Sequence, residues 1–286
     1  MTRTMSVALA AAMAAAAALP ASAQQDFRWS GRIADGQRIQ INNIKGEIRA
    51  EPAAGSEVTV TAHPRGGGDV RVEMVRRGYG VVICAVYPYS GQGQRWRDDD
   101  DGRNEPRDAC NRRGTNVRDR DAEVDFVVRV PAGTKLVANN VSGDVEIRGL
   151  RGPVDASSVS GDVHVSSSGE VEASSVSGNV FASLGRIPDN GLQFRSVSGD
   201  VTLELPANVD ADFNARTLSG EIESEFPLTI GGRGGRRGRD DEDDDDDDGR
   251  FVRVRVGHNV RARLGRGGPM LSVTTVSGDV TLRRAR

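Results

Sequence analysis

Carboxylates at regular spacing are the first groups in this sequence that could do chemistry. Paired carboxylates cleave glycosidic bonds, one acting as the acid and the other as the base or nucleophile. Here one acid falls in the turn of nearly every copy of a repeated pentapeptide, which is the distribution of a structural residue. We therefore expect a protein that is not an enzyme and has no catalytic residues. The six acids are Glu47, Asp144, Asp162, Asp200, Glu221 and Asp279.

Other catalytic and cofactor sites lack their residues. No Gly-x-Ser-x-Gly elbow occurs, and the abundant serines stand in turns. The glycine clusters at 66–68 and 231–235 lack the Lys-Ser/Thr ending of a phosphate-binding loop. The three histidines, His63, His164 and His258, do not have the spacing of zinc ligands. The sequence therefore predicts no cofactor-binding and no metal-binding residues.

Calcium is the cation that the acidic segments suggest as a ligand. Asp244, Asp246, Asp248 and Gly249 match the first half of a calcium-binding loop, but the closing position falls on Arg255. A block of nine acidic residues from Asp240 to Asp248 repels itself and is typical of a solvated, disordered loop. Loose binding of Ca²⁺ by this run is the alternative that stays open.

The repeated pentapeptide is the strongest pattern in the chain. It reads aliphatic, polar, Gly, acidic or Asn, aliphatic, and from the second to the sixth copy the spacings are 18, 17, 21 and 21 residues. Because glycine has no Cβ, it permits a positive φ and a sharp corner. We expect a turn at each central glycine, namely Gly46, Gly143, Gly161, Gly178, Gly199, Gly220 and Gly278.

The residues before each corner alternate between apolar and polar. Apolar residues stand five and three positions before the first aliphatic of the pentapeptide, as Val154 and Ala156 do before Val159. This period of two predicts strands with one buried face. A small polar residue directly before that aliphatic falls on the inward side, where it could hydrogen-bond from one copy to the next. These residues are Asn43, Asn140, Ser158, Ser175, Ser196, Thr217 and Thr275.

Strand, corner, strand and looser turn make a unit that cannot bury its apolar stripe alone. Stacked units can, so the pattern predicts an all-β protein, a parallel β-solenoid of about seven rungs. Aromatic residues are 4% of the chain and glycines number 35, which suits a core of small aliphatic side chains. The alternative is a series of antiparallel hairpins with the glycine at each tip.

The first residues predict export. An apolar run over 5–19 is followed by Pro20 and by the small residues Ala21, Ser22 and Ala23, which is typical of a signal peptide spanning 1–23. The run is shorter than the roughly 20 residues that cross a bilayer. After cleavage we expect no transmembrane segment and a periplasmic or extracellular protein.

Two insertions divide the remaining chain. We expect an N-terminal β section over 24–132 with a polar insertion at 88–121, and then repeats over 133–286 with a disordered acidic insertion at 231–249. In an oxidising compartment, Cys84 and Cys110 are expected to form a disulfide, worth roughly 3–4 kcal/mol in the chain-entropy model. The net charge of −3 gives no electrostatic case for nucleic acid.

The pentapeptides carry a family resemblance. Val-Ser-Gly-Asp-Val stands at 141–145, 159–163, 197–201 and 276–280, with variants at 176–180 and 218–222. With these repeats the chain resembles the bacterial putative adhesin family, exported β-strand-repeat proteins whose domain has no known function. The resemblance implies a β-solenoid in the cell envelope, and it carries no catalytic residues.

Repeat and resemblance together favour an exported, non-enzymatic protein of the cell envelope with an adhesin-like binding or structural role. Its partner could be an envelope polysaccharide, an envelope protein or a second copy of itself. Two alternatives stay open. One is a polysaccharide-active enzyme on a β-helix scaffold, and the other is an accessory protein of envelope stress or signalling.

Overall fold

The computed structural model describes residues 25–66, 70–87, 121–230, 252–254 and 259–285, and in these ranges the regular elements are all strands. The first eleven are β1 (Phe27–Gly31), β2 (Arg38–Asn42), β3 (Ile48–Pro52), β4 (Val58–Arg65), β5 (Arg71–Arg77), β6 (Gly80–Val86), β7 (Glu123–Val130), β8 (Lys135–Ser142), β9 (Val145–Leu150), β10 (Val154–Ser160) and β11 (Val163–Ser167). The others are β12 (Val171–Ser177), β13 (Val180–Leu184), β14 (Leu192–Ser198), β15 (Val201–Leu205), β16 (Ala211–Arg216), β17 (Ile222–Ser224), β18 (Leu228–Ile230), β19 (Val252–Val254), β20 (Asn259–Leu264), β21 (Met270–Thr274) and β22 (Val280–Arg284).

The strands form two sheets of eleven. Sheet 1 has the order β1-β4-β7-β3-β9-β11-β13-β15-β22-β17-β19, and sheet 2 has the order β18-β20-β16-β21-β14-β12-β10-β8-β2-β6-β5. Each pentapeptide copy contributes one strand to each sheet, with its glycine at the corner between them. We call such a strand–corner–strand unit a rung. The described part of the chain contains no helix that is long and apolar enough to cross a membrane.

Neighbouring rungs pair in parallel with equivalent residues side by side. In β10 and β12, Val154 pairs with Val171, and Ala156 with Ala173. The same register continues from β11 to β13 in sheet 1. The prediction of an all-β chain is confirmed, and the copies pair in parallel rather than as antiparallel hairpins. Alternate residues point between the sheets, where they form one apolar cluster.

The order of the rungs departs from the order of the sequence. The last copy in sequence, β21 and β22, lies between the fifth (β14 and β15) and the sixth (β16 and β17). Val280 pairs with Val201 on one side and with Ile222 on the other. The chain can return because β20 runs antiparallel to β16, which reverses its direction before β21. The sixth copy is therefore the outer rung of the repeat.

Strands outside the repeat extend both ends of the stack. Beyond the first rung, β7 extends sheet 1 and β6 extends sheet 2 in parallel. Antiparallel strands then follow, β4 and β1 in sheet 1 and β5 in sheet 2. At the other end, β19 and β20 also pair antiparallel with the last rung. The predicted insertions at 88–121 and 231–249 lie outside the described residues, apart from Asp121.

A column of polar side chains runs through the core beside the corners. Each is 3–4% exposed. Ser175 Oγ donates to the carbonyl oxygen of Gly161 at 2.9 Å, and Ser158 Oγ donates to that of Gly143 at 3.0 Å. Six of the seven donate in this way to the corner glycine of the adjacent rung, and Asn43 donates to the Val124 carbonyl instead. We call this column the polar ladder. It satisfies buried hydroxyl and amide N–H donors whose burial would otherwise be costly, whereas Asn43 Oδ1 has no partner among the described residues.

Removing one ladder hydroxyl should weaken the stack measurably. In Ser175→Ala the Gly161 carbonyl loses its side-chain donor, so we expect a loss of about 1 kcal/mol of unfolding free energy and a melting temperature roughly 2–4 °C lower. The matched control is Ser174→Ala, one residue away on the outward face of β12. Equal melting temperatures for the two variants would contradict the ladder.

Close packing accounts for the presence of glycine at all seven corners, whereas backbone conformation accounts for it at only some of them. Gly46 and Gly143 have φ angles of 113° and 125°, as expected for glycine. Gly178, in contrast, does not adopt a left-handed conformation. At all seven corners, however, a Cβ would overlap a backbone carbonyl oxygen, which belongs to the corner glycine of the adjacent rung in six cases and to Val124 of β7 at Gly46. The glycine is therefore needed because successive corners touch.

Candidate functional site

The acids of the pentapeptides form a second ladder on the outside of the corner. Asp144 Oδ1 accepts the backbone N–H of Asp162 at 2.8 Å, and Asp162 Oδ1 accepts that of Asn179 at 2.7 Å. The pattern continues through Asn179, Asp200 and Asp279 to the N–H of Glu221. We call this column the acid ladder. One side-chain oxygen of Asp144, Asp162, Asn179, Asp200 and Asp279 accepts a backbone N–H, so the geometry gives the four aspartates a structural task.

Metal ligation finds no support in the described ranges. No group of three or more His, Cys, Asp and Glu side chains in them could hold an ion. His63 Nδ1 lies 2.9 Å from Asp26 Oδ1, and the hydrogen bond with His63 is the main cause that lowers the pKa of Asp26. His258 and the Asp240–Asp248 run, for which loose Ca²⁺ binding was left open, lie outside the described residues.

Ion pairs on the outward faces join neighbouring strands. Arg49 Nε lies 2.6 Å from Glu47 Oε1 and 3.4 Å from Glu146 Oε2, and the hydrogen bond with Glu47 raises the pKa of Arg49. Asp210 accepts hydrogen bonds from the backbone and the guanidinium of Arg266, which lower its pKa. All of these side chains reach solvent, so they fix local geometry and add little stability.

In the described part of the repeat, the outward face of sheet 1 carries an aromatic pair. The rings of His164 and Phe181, on adjacent strands, have centroids 5.8 Å apart and are tilted by 39°. His164 is exposed, as its outward position in β11 predicts. Thr202 and Thr281 continue the same column across the next two rungs. The column changes from aromatic to small and polar, so the face is chemically varied.

The outward face of sheet 2 is polar over its middle rungs. Asn139 Nδ2 donates to Asn42 Oδ1 at 2.9 Å, and Ser157 Oγ donates to Asn139 Oδ1 at 2.8 Å. Arg195 lies 3.5 Å from Glu172 across adjacent strands. These contacts run from rung to rung in the direction of the stack, so this face is also an extended, regular surface.

The predicted disulfide begins in a buried position. Cys84 lies on the outward side of β6 yet is 2% exposed, and its neighbours Val82 and Val137 on that side are 3% and 6% exposed. Cys110 lies outside the described residues, so the pairing stays a prediction. The mass of the non-reduced protein should show no free thiol, and a thiol that alkylates without reduction would contradict the pairing.

In six of the seven pentapeptides, the first aliphatic residue belongs to an exposed apolar column at the corner end of sheet 2, whereas Ile44 of the first copy is partly buried against the core. The members are 42–67% exposed, and they follow one another across six successive rungs. We call this column the valine ridge. In the order of the stack it consists of Val141, Val159, Val176, Val197, Val276 and Leu218. The sequence analysis did not identify it, although parity gave a signal, because each member is adjacent to an inward residue of the polar ladder.

A shallow cavity lies at the end of sheet 1 that is farthest from the last rung. Its volume is about 430 Å³, and Arg32, Ser56, Glu57, Thr59 and Arg129 contribute to its lining. Arg32 Nε lies 3.9 Å from Glu57 Oε1, so charges of both signs face the same space. None of the pentapeptide residues lines it.

Comparison with known proteins gives remote structural likenesses. No protein-family model matches the chain, and no curated protein matches it. Its solved structural neighbours include a putative cell adhesion protein from Clostridium sporogenes, with a TM-score of 0.47 and 8% identity over 91% of this chain and 100% of that one. Another is a putative adhesin from Bacteroides fragilis, with a TM-score of 0.35 and 9% identity over 92% and 98%. A putative adhesin from Parabacteroides merdae has a TM-score of 0.20 and 10% identity over 92% and 97%. At such distances the chain's own residues must carry the functional argument.

Proposed function

We propose that this chain is an exported, non-enzymatic β-solenoid of the cell envelope, located in the periplasm or outside the cell, that works as an adhesin-like binding scaffold. The observation that carries the proposal is the equivalent register of successive rungs, as in Val154 with Val171 and Val163 with Val180. Such a register places the same position of every copy in one straight column. A solenoid built in this way presents extended surfaces on which each column repeats the same position of every copy.

The state of the acids supports binding over catalysis. A glycosidase needs one carboxyl group free to donate a proton and a second free to attack or to activate water. In the acid ladder, Oδ1 of Asp144, Asp162, Asp200 and Asp279 is instead occupied by a backbone amide of the next rung. The proposal therefore assigns these carboxylates to the corners and leaves recognition to the outward columns.

The outward columns supply the chemistry of recognition. Sheet 1 offers the rings of His164 and Phe181 next to hydroxyl groups such as that of Thr202. Sheet 2 offers amides, hydroxyls and the Arg195–Glu172 pair. Amides, hydroxyls and aromatic rings can together recognise a polymer, such as an envelope polysaccharide or an extended segment of an envelope protein, along many rungs at once.

The test is a binding assay with two purified proteins, residues 24–286 and a variant that lacks 232–248. Both are applied to a glycan array and to fractionated cell envelope. Saturable binding by both proteins is expected, because the proposed surfaces belong to the stack. Loss of binding in the variant would move the function to the acidic segment, and no binding by either protein would contradict the scaffold.

A further inference from the structure

The valine ridge exists because of strand geometry rather than defective packing. Side chains of a strand alternate between faces, and each ridge residue follows an inward residue of the polar ladder. Val159, for example, is 45% exposed although Ser158 beside it is 4% exposed. Six of the nine large exposed apolar side chains in the described ranges belong to the ridge. Apolar exposure is therefore concentrated in one column.

The valine ridge has the size of an interaction site. Six rungs at the usual strand spacing make a straight ridge about 24 Å long. Its apolar area is on the order of a few hundred Å², which is the size of the largest apolar patch on an ordinary monomer and often marks an interaction site. The apolar area of the ridge is therefore large enough for a contact with another molecule.

We infer that the valine ridge is the contact by which two copies of this chain associate, back to back along sheet 2. This inference rests on the proposed binding function and names a second copy as a partner. The regular spacing of the ridge residues from strand to strand supports this inference. Side chains that recur at every strand can interdigitate only with a surface of the same period, and a second ridge has that period by construction. Identical side chains on stacked strands interlock in this way between facing sheets in dry zipper interfaces.

The columns beside the ridge favour contact through sheet 2. On that side, two positions before each ridge residue, the side chains are neutral or basic. They are Asn139, Ser157, Ser174, Arg195, Thr274 and Arg216 in the order of the stack. On the other side of the ridge, beyond the corner, lies the acid ladder. When the sheet 2 faces meet, both acid ladders remain in water and do not repel each other at the interface.

Charge also selects the direction of the two stacks. Glu172 and Arg195 lie on the two middle rungs of the ridge, which also carry Val176 and Val197. When two copies are related by a two-fold axis that makes the stacks antiparallel, Glu172 of one copy faces the rung of Arg195 of the other. Parallel stacks would place like charges on facing rungs. The antiparallel arrangement is isologous and closed, so it yields a dimer and not a filament.

The expected dimer is weak. A stable interface buries about 800 Å² on each partner, and the ridge supplies less than that. Association should therefore be reversible, and the fraction of dimer should rise with protein concentration.

Sedimentation velocity of residues 24–286, over a concentration series into the submillimolar range, tests the dimer directly. The wild-type protein should shift from monomer to dimer. Val159→Lys with Val176→Lys should stay monomeric throughout, because each copy would have to bury two charges within the contact. The matched control, Ser166→Lys with Ser183→Lys, adds the same charge to the same two rungs on sheet 1 and should dimerise like the wild type.

Three further variants keep the test decisive if lysine disturbs the fold. Val159→Thr with Val176→Thr keeps the β-branched shape and should raise the dimer dissociation constant. Glu172→Arg should also weaken the dimer, and addition of Arg195→Glu should restore it. Melting curves must match the wild type in each case.

Two results would overturn the inference, namely a wild-type chain that stays monomeric at every concentration and a dimer that survives Val159→Lys with Val176→Lys. Envelope binding by such a chain would still leave the proposed scaffold function intact. The two failures can therefore be told apart.

Discussion

A chain that ends at Gly268 should lose most of its stability, although it lacks only the last copy in sequence. That copy is an interior rung, so its removal takes β21 and β22 out of the middle of both sheets. Leu271, Val273, Val280 and Leu282 are each 0% exposed. At about 1.5–3 kcal/mol for each buried side chain, their loss is of the same order as the whole stability of a typical domain, about 5–15 kcal/mol. Circular dichroism melting should show an unfolded or barely cooperative protein.

The control for this truncation is a chain that ends at Arg284. It keeps both strands and loses only two residues, of which Ala285 donates one backbone hydrogen bond to Leu205. Its melting curve should match that of the full chain to within a few degrees. If the chain ending at Gly268 melted like this control, the last copy could not lie inside the stack.

Gly161→Ala should strongly destabilise the protein, although it adds only one methyl group at a corner of the repeat. The added Cβ would overlap the backbone carbonyl oxygen of Gly143, which cannot move without shifting the adjacent corner. That same carbonyl accepts the hydroxyl of Ser158, so the polar ladder would be strained as well. Overpacking of this kind costs about 1–3 kcal/mol, and we expect the upper end because the clash is with backbone. Chemical denaturation of the purified variant measures the loss.

Gly185→Ala is the matched control for this substitution. A Cβ on Gly185 would meet no atom within 4 Å. The variant should unfold at the same denaturant concentration as the wild type or slightly above it, because alanine restricts the unfolded chain. Equal destabilisation by the two substitutions would show that the corner packing is not the cause.

Much of the fold follows from local pattern. The alternation before the corners, as at Val154 and Ala156, predicted strands with one buried face, and β10 buries both of these residues. The inward position of Ser158 and Ser175 was predicted from the same parity. A period of two is a property of the strand itself, so these features can be read without knowing which strands are neighbours.

The order of the rungs could not be read in this way. All copies share the same spacing around the glycine, so any copy fits beside any other. Sequence order suggested that the last copy follows the sixth, yet Val280 lies between Val201 and Ile222. The choice depends on the antiparallel return through β20, which is a tertiary feature and leaves no trace in the pentapeptide.

The candidate surfaces were predictable in part. The acids were expected to be structural, but their bonds to the amides of the next rung depend on the corner geometry, which a sequence does not reveal. The exposure of Val141 and Leu218 could have been predicted from their parity. An aliphatic residue in a conserved-looking pentapeptide is readily taken for core, and here it is not.

The most direct test of the stack is a pair of engineered disulfides. Thr202 and Thr281 are cross-strand partners in β15 and β22, and Thr281 in turn pairs with Glu223 in β17. Strand spacing puts the Cα atoms of Thr202 and Glu223 about 9.6 Å apart, beyond the roughly 4.4–6.8 Å that a disulfide spans. After oxidation and peptide mass mapping, Thr202→Cys with Thr281→Cys should be cross-linked, and Thr202→Cys with Glu223→Cys should not. Cross-linking of the second pair without the first would contradict the interior position of the last copy and the parallel stack described above.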